Sequence, residues 1–253
     1  MKTIEVLFTP ADFAALKNRN LSQTLCVAFD VFRATSTMVT ALANGAEAII
    51  PVAEIPEALA IKRARPEVLL AGERDGLRIQ GALSGGVEFD FGNSPREFTR
   101  ERVAGKTIVM TTTNGTRALR ACAQADAVFI GSFLNLQATA EAVRESAPEN
   151  LLLVCSGTGE QTALEDALGA GALCDLLWNY MEAGAISDSA RMARELYRAA
   201  KDNVSAAAAG SKNGHRLNGL SDLRDDVAFC LRRDVFDFAA DLDPAGHIKR
   251  LAP

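Results

Sequence analysis

Histidine is almost missing from this chain of 253 residues: His215 and His247 are the two that occur. A histidine-rich dinuclear metal centre is therefore excluded, because it needs several imidazoles in one place. His215 alone falls where it could border a site. Cysteine is sparse as well. The five thiols, Cys26, Cys122, Cys155, Cys174 and Cys230, are odd in number and far apart. No pair has CxxC spacing, so neither a zinc ribbon nor a dithiol redox motif is present. Cys26, Cys122 and Cys155 lie in apolar runs and are expected as reduced core residues, which fits a reducing compartment. No apolar run approaches the roughly 20 residues needed to span a bilayer. The opening run Met1–Val6 is interrupted by Glu5 and does not read as a signal peptide. Together these point to a cytoplasmic protein that makes no use of a membrane.

Basic charge is also short. Lysine and arginine number 27 against 32 aspartates and glutamates, a net charge of −5. General nucleic-acid binding relies on a basic surface and is not expected. A small anionic substrate is compatible, since a few local arginines outweigh a weak global field.

Several familiar catalytic patterns are missing too. Asp30-Val31-Phe32 is not the Asp-x-Asp of an aspartyl-nucleophile phosphatase. A cysteine phosphatase needs arginine six positions after its cysteine; those positions hold Gln161 after Cys155 and Phe32 after Cys26. Gly105-Lys106-Thr107 ends like a P-loop, but Arg100 stands where the first glycine belongs. Gly157-x-Gly159 has Thr162 where a dinucleotide fingerprint has its third glycine.

What is present is a rhythm. Short apolar runs at 4–8, 25–29, 48–52, 68–71, 107–111, 127–130 and 151–155 read as strands. Helical patterns follow at 31–44, 55–65, 116–124, 136–145 and 163–181, and Gly45 is placed to end the first. The alternation predicts an α/β protein with a mainly parallel sheet covered on both faces by helices, spanning 1–253 as a single domain. The last third reads as mostly helical. Residues 72–99 break the rhythm, and 202–219, rich in Ala, Gly and Asn, read as irregular. The sequence leaves the oligomeric state open, with a homodimer as the common default.

Ligands of open α/β sheets bind beyond the carboxyl ends of strands, and those ends are unusually polar here. After 25–29 comes Asp30-Val31-Phe32-Arg33-Ala34-Thr35. Asp30 is placed as a metal-binding carboxylate and Arg33 as an anion contact; a helix N-cap with a surface arginine is the alternative. After 107–111 come Thr112, Thr113, Asn114, Gly115, Thr116 and Arg117, a donor-rich turn into a helix that suits an anion. After 151–155 come Ser156, Gly157 and, further on, Glu165 and Asp166. Acids at a helix start complement its dipole; with Asp30 they could instead hold a hard cation. Glu73 and Arg74 end another strand, and Asn93-Ser94-Pro95 forms a further polar turn.

Taken in order, these five segments resemble the 2-phosphosulfolactate phosphatase family. The match runs from about Ile4 to Leu173, and more loosely beyond. The resemblance implies an α/β/α three-layer fold with a mixed, mainly parallel sheet, and magnesium-dependent hydrolysis of 2-phospho-3-sulfolactate to sulfolactate and phosphate, a step toward coenzyme M. It makes Asp30, Glu73, Glu165 and Asp166 the acids to test as metal ligands. Asp30, Arg33 and Arg117 become the catalytic candidates. Thr35, Arg74, Asn93, Ser94, Thr113, Asn114, Gly115, Thr116, Ser156 and Gly157 become the substrate contacts. Residues 79–90 are longer than the family pattern and 157–162 shorter, and both are expected to border the site. A phosphatase for another small phosphorylated acid, a non-catalytic anion-binding protein, and a set of ordinary capped turns are the rival readings.

Overall fold

The computed structural model describes residues 1–181 and 186–251. Among these residues ten strands form one mixed sheet: β1 (Thr3–Leu7), β2 (Thr24–Phe29), β3 (Ala48–Pro51), β4 (Leu69–Arg74), β5 (Leu77–Arg78), β6 (Thr107–Thr111), β7 (Ala127–Gly131), β8 (Asn150–Cys155), β9 (Ala240–Leu242) and β10 (Ile248–Arg250). Their order across the sheet is β1-β8-β2-β7-β9-β10-β3-β6-β4-β5.

The central strands are apolar throughout because both faces are covered. Side chains alternate between faces along a strand, so neighbouring residues feed different cores. Leu25, Val27 and Phe29 of β2 join Leu151, Leu153 and Cys155 of β8 in one core, with the helices Leu136–Ser146, Leu164–Leu177 and Asp188–Ala200. Cys26, Ala28, Leu152 and Val154 face the other way, onto the helices Ala34–Ala43 and Gly115–Ala121. A smaller core packs Leu70 and Val109 under the helix Ile55–Ala64. Each fully buried leucine or valine contributes about 1.5–3 kcal/mol, and this two-sided burial gives the α/β/α layering. All five cysteines are free and buried.

Two parallel blocks make up most of the sheet. β1, β8, β2 and β7 form one; β3, β6 and β4 form the other. The hairpin β9–β10 joins them, antiparallel to β7 on one side and to β3 on the other. The blocks therefore run in opposite directions, yet hydrogen bonds join the loops beyond their carboxyl ends. Arg33 after β2 donates to the Gly76 carbonyl after β4 at 2.6 Å, and Asn114 after β6 donates to the Gly157 carbonyl after β8 at 3.0 Å.

Two expectations need correction. The helix after β2 starts at Ala34, since Val31–Arg33 is a turn closed by Asp30, whose Oδ1 accepts from Ala34 N at 3.0 Å. Residues 202–219 are not irregular: they fold as the helices Val204–Ala209 and Lys212–Asn218, capped by the side chains of Asn203 and Ser211. The C-terminal third also carries β9 and β10, three residues each and too short to show a period. Gly45, at φ +91°, ends the helix Ala34–Ala43 in the left-handed conformation expected of it.

Candidate active site

A cavity of about 200 Å³ lies where the two blocks meet. Asp30, Phe32 and Arg33 come to it from the β2 turn; Glu73, Asp75 and Gly76 from β4 and the turn after it; Thr113 and Asn114 from the β6 turn; and Gly157, Thr158 and Gly159 from the β8 turn. Asn93, Asn213, Arg216 and Leu217 complete the wall.

Four carboxylates crowd this point, and the structure divides them in two pairs. Glu73 is fully engaged: Oε1 accepts from Thr113 N at 2.8 Å and Thr113 Oγ1 at 2.9 Å, and Oε2 from Gly76 N at 2.7 Å. Asp166 is engaged likewise by Val31 N at 2.8 Å and Gly157 N at 3.1 Å. These two acids hold the loops in place. Asp30 keeps Oδ1 on the Ala34 amide, while Oδ2 lies over Gly115. Glu165 accepts from Asn213 Nδ2 at 2.6 Å on Oε1, and its Oε2 is buried without a partner.

Packing explains the glycine beside Asp30. A Cβ on Gly115 would stand 2.6 Å from Asp30 Oδ2 and 2.7 Å from Ala34 Cβ. Gly157 is similarly confined: its φ is +73°, and a Cβ would meet the Gln161 carbonyl at 2.5 Å.

Burial pushes the Asp30 carboxyl up to about 7, with repulsion from Glu73 and Glu165 adding to it and the Ala34 amide and Arg33 opposing it. Asp166 is also held well above the usual carboxylate range, first by burial and then by Asp30 and Glu165. Acids this close do not all ionise unless a cation joins them. Among the described residues, the buried side-chain atoms lacking partners besides Glu165 Oε2 are Asn93 Oδ1, Asn114 Oδ1 and Ser156 Oγ. All four are oxygens, the donor set of a hard cation. Among the described residues no three His, Cys, Asp or Glu side chains form a ready-made cage. Two carboxylates with amide oxygens suit magnesium, which keeps several waters and completes its shell with substrate phosphate.

Arg33 is not a surface residue. It is 3% exposed and pairs at 2.7 Å with Asp226, which is 0% exposed. Ser94 Oγ (2.7 Å) and Arg96 Nε (2.9 Å) bind the same aspartate.

Other expected contacts fall elsewhere. Arg117 points to solvent beside Glu160, 3.5 Å away, because the preceding Gly115 and Thr116 occupy the buried side of their helix. Arg74 turns back onto the Glu73 carbonyl and Thr111 Oγ1. Thr35 closes the Asp30 turn through its hydroxyl, and Thr116 bonds reciprocally with Thr112. Ser94 holds Asp226 instead of lining the cavity, and Ser156 lies buried behind Gly157. Residues 79–90 contribute nothing to the wall, whereas 157–159 do. His215 is exposed and also absent from the wall. Sequence reasoning missed Asn213, Arg216 and Asp226. Asp226 shares its buried helix face with Val227 and Cys230, a spacing that marks an acid turned inward.

An acid-rich cavity with a fixed guanidinium, set across the carboxyl ends of an α/β/α sheet, defines a phosphoric monoester hydrolase once the relatives are considered. The family model described as 2-phosphosulpholactate phosphatase matches residues 12–243, and the chain belongs to that family. A protein of Caldicellulosiruptor saccharolyticus named probable 2-phosphosulfolactate phosphatase is 39% identical over 221 residues, covering 86% of this chain and 88% of its own. One of the same name from Thermotoga petrophila is 40% identical over 210 residues, covering 83% and 85%. A third, from Caldanaerobacter subterraneus, is 37% identical over 240 residues, covering 93% and 95%. No helix among the described residues is long and apolar enough to cross a membrane.

Proposed function

We propose that this chain hydrolyses 2-phospho-3-sulfolactate to 3-sulfolactate and inorganic phosphate with the help of magnesium. The observation that carries the reading is that Asn93 and Asn114, each with a partnerless buried amide oxygen, line the cavity together with Asp30 and the fixed Arg33. Asp30 and Glu165 would hold the ion, with the amide oxygens of Asn93 and Asn114. When bound, it supplies Lewis-acid polarisation of the phosphoryl group and acidifies water.

The protein's own groups do the rest. Arg33, immobile between Asp226 and the Gly76 carbonyl, offers a positive charge to the phosphoryl oxygens without having to reorganise. The Thr113–Asn114 and Gly157–Gly159 turns form the wall against which the phosphoryl group rests. Asp30, with Oδ1 fixed on Ala34 N and its carboxyl raised to about 7, would position the attacking water and accept its proton.

Phosphate release should be measured from 2-phospho-3-sulfolactate and from other phosphorylated small acids, with and without magnesium. Magnesium-dependent release favouring the sulfonate supports the reading. Release from other esters alone moves the substrate. No release from any of them by folded protein overturns it in favour of anion binding.

Two further results are expected. The metal-free protein should lose thermal stability as pH rises from about 4 to about 7. A carboxyl whose folded pKa lies above its unfolded value binds more protons when folded, so its stabilisation is present at low pH and lost as pH passes through the folded value of about 7. Magnesium, which favours the ionised acids, should raise Tm more at pH 8 than at pH 5, by several degrees in thermal scans. A Tm that rises between pH 5 and 8 without metal would contradict this. Second, Gly115→Ala should lower kcat on the order of 100-fold, because the new methyl group displaces Asp30 by about an ångström. Steady-state kinetics on variant protein with unchanged circular dichroism tests it.

A further inference from the structure

Two guanidinium groups line the cavity, and the protein holds them in different ways. Arg33 is buried and committed, with Nη1 on Asp226 and Nη2 on the Gly76 carbonyl. Arg216 is 45% exposed, and its nearest carboxylate is Asp75 at 3.8 Å, itself 95% exposed. An ion pair this long and this wet contributes little and is readily exchanged. The Asp75 carbonyl also accepts from Arg216 Nη2.

Arg216 nevertheless lies against the cavity wall. Its Cζ and Nε lie 3.6 Å from where a Cβ would stand on Gly76, so the guanidinium lies along that turn at the cavity wall. Its helix, Lys212–Asn218, is anchored one turn earlier. Asn213 Nδ2 donates to Glu165 Oε1 at 2.6 Å and to Thr158 Oγ1 at 2.7 Å, and Ser211 Oγ caps the helix through Gly214 N at 3.0 Å.

The charges around the cavity make a second cation necessary. Asp30, Glu73 and Asp75 line it, against Arg33 and Arg216 as its cationic side chains. Arg33, already paired with Asp226, and a bound cation can together offset no more than one phosphoryl group. A second anionic group on the substrate would then face the acidic wall alone, unless Arg216 left Asp75 for it. An arginine fork matches the oxygens of a sulfonate or carboxylate with two parallel hydrogen bonds.

We infer that Arg216 reads one of the acidic groups, carboxylate or sulfonate, that the substrate carries besides its phosphoryl group, and so sets the preference for phosphate esters of strong organic acids over simple phosphate esters. This rests on the phosphatase reading above. Asp75 acts as the placeholder that the substrate's anion displaces.

The test compares wild type, Arg216→Ala and Arg216→Lys on 2-phospho-3-sulfolactate, 2-phospholactate and isopropyl phosphate. Arg216→Ala should lower kcat/KM for the acidic esters roughly 10- to 100-fold, the worth of hydrogen bonds to a charged group. Isopropyl phosphate should change no more than about twofold, within the range of a surface substitution. Arg216→Lys should restore part of the loss, as a charge without the fork. Equal losses on all three esters, or none, would overturn the inference. Calorimetric binding of 3-sulfolactate needs no turnover, and so separates this inference from the phosphatase reading. Wild-type binding that weakens at least tenfold in Arg216→Ala supports it even if no ester is hydrolysed, and unchanged or undetectable wild-type binding overturns it.

Discussion

Asp30→Asn is expected to reduce phosphate release at least about 1,000-fold while leaving the protein as stable as before or more so. The loss follows from three demands met at one carboxylate. It lines the cavity with one oxygen not held by a backbone amide; in the proposed mechanism it serves with Glu165 as a metal arm; and burial raises its carboxyl to about 7. Removing a general base costs about 100- to 10,000-fold on its own, and losing a metal ligand adds to that. Stability moves the other way because Asp30 is buried among like charges. An uncharged amide of the same shape relieves repulsion with Glu73 and Glu165, and its oxygen can still accept from Ala34 N. Kinetics with saturating magnesium, paired with thermal scans of the metal-free protein, read both effects. Near-normal turnover would remove Asp30 from the mechanism. A large fall in Tm would show that its charge supports the fold instead of straining it.

Asp226→Ala should have the largest effect on stability. Asp226 is fully buried and receives Arg33, Ser94 and Arg96. Its removal leaves the Arg33 guanidinium, 3% exposed, without a counter-charge. Breaking one partner of a buried pair costs about 3–5 kcal/mol, which lowers Tm by about 10 °C in a chain of this size. The double variant Arg33→Met with Asp226→Ala should be more stable than Asp226→Ala alone, since no orphaned charge remains. A double variant no more stable than the single one would mean that Asp226 acts through Arg96 or through packing. Denaturant melts of the three proteins decide it. Activity should fall in both variants, since the single one loses the anchor that holds Arg33 and the double one loses the cation itself.

How far the sequence disclosed this structure depends on the range of the forces involved. β2, β6 and β8 were legible because continuous burial leaves a continuous apolar run, and the structure moves their ends by no more than a residue. The turn residues Asp30, Glu73, Thr113, Asn114 and Gly157 were legible because polar groups stood at strand ends, and all five line the cavity. Orientation within a turn was not. Thr116 and Arg117 are neighbours, yet one is buried and the other solvated, a distinction set by the helix phase. Arg33 illustrates the limit from the other side: its burial depends on Asp226, 193 residues away, and no local pattern announces a partner at that distance. Asn213 and Arg216 lay hidden for a related reason. Their stretch is rich in Ala and Gly and looked structureless, although Asn203 and Ser211 are both good helix caps.

The hairpin β9–β10 has a consequence for how the chain is made. It occupies the middle of the sheet, with Ile248 paired to Ile49 of β3 and Asp241 to Phe129 of β7. During synthesis both parallel blocks are complete long before residues 240–250 emerge. Each then presents an unpaired edge, β7 on one and β3 on the other. Open edges of apolar strands invite pairing with other chains, and contacts across such long sequence separations form slowly. The nascent protein is thus most prone to aggregate in the interval before its hairpin arrives, and the candidate active-site cavity, which needs both halves, comes into being only when that interval closes.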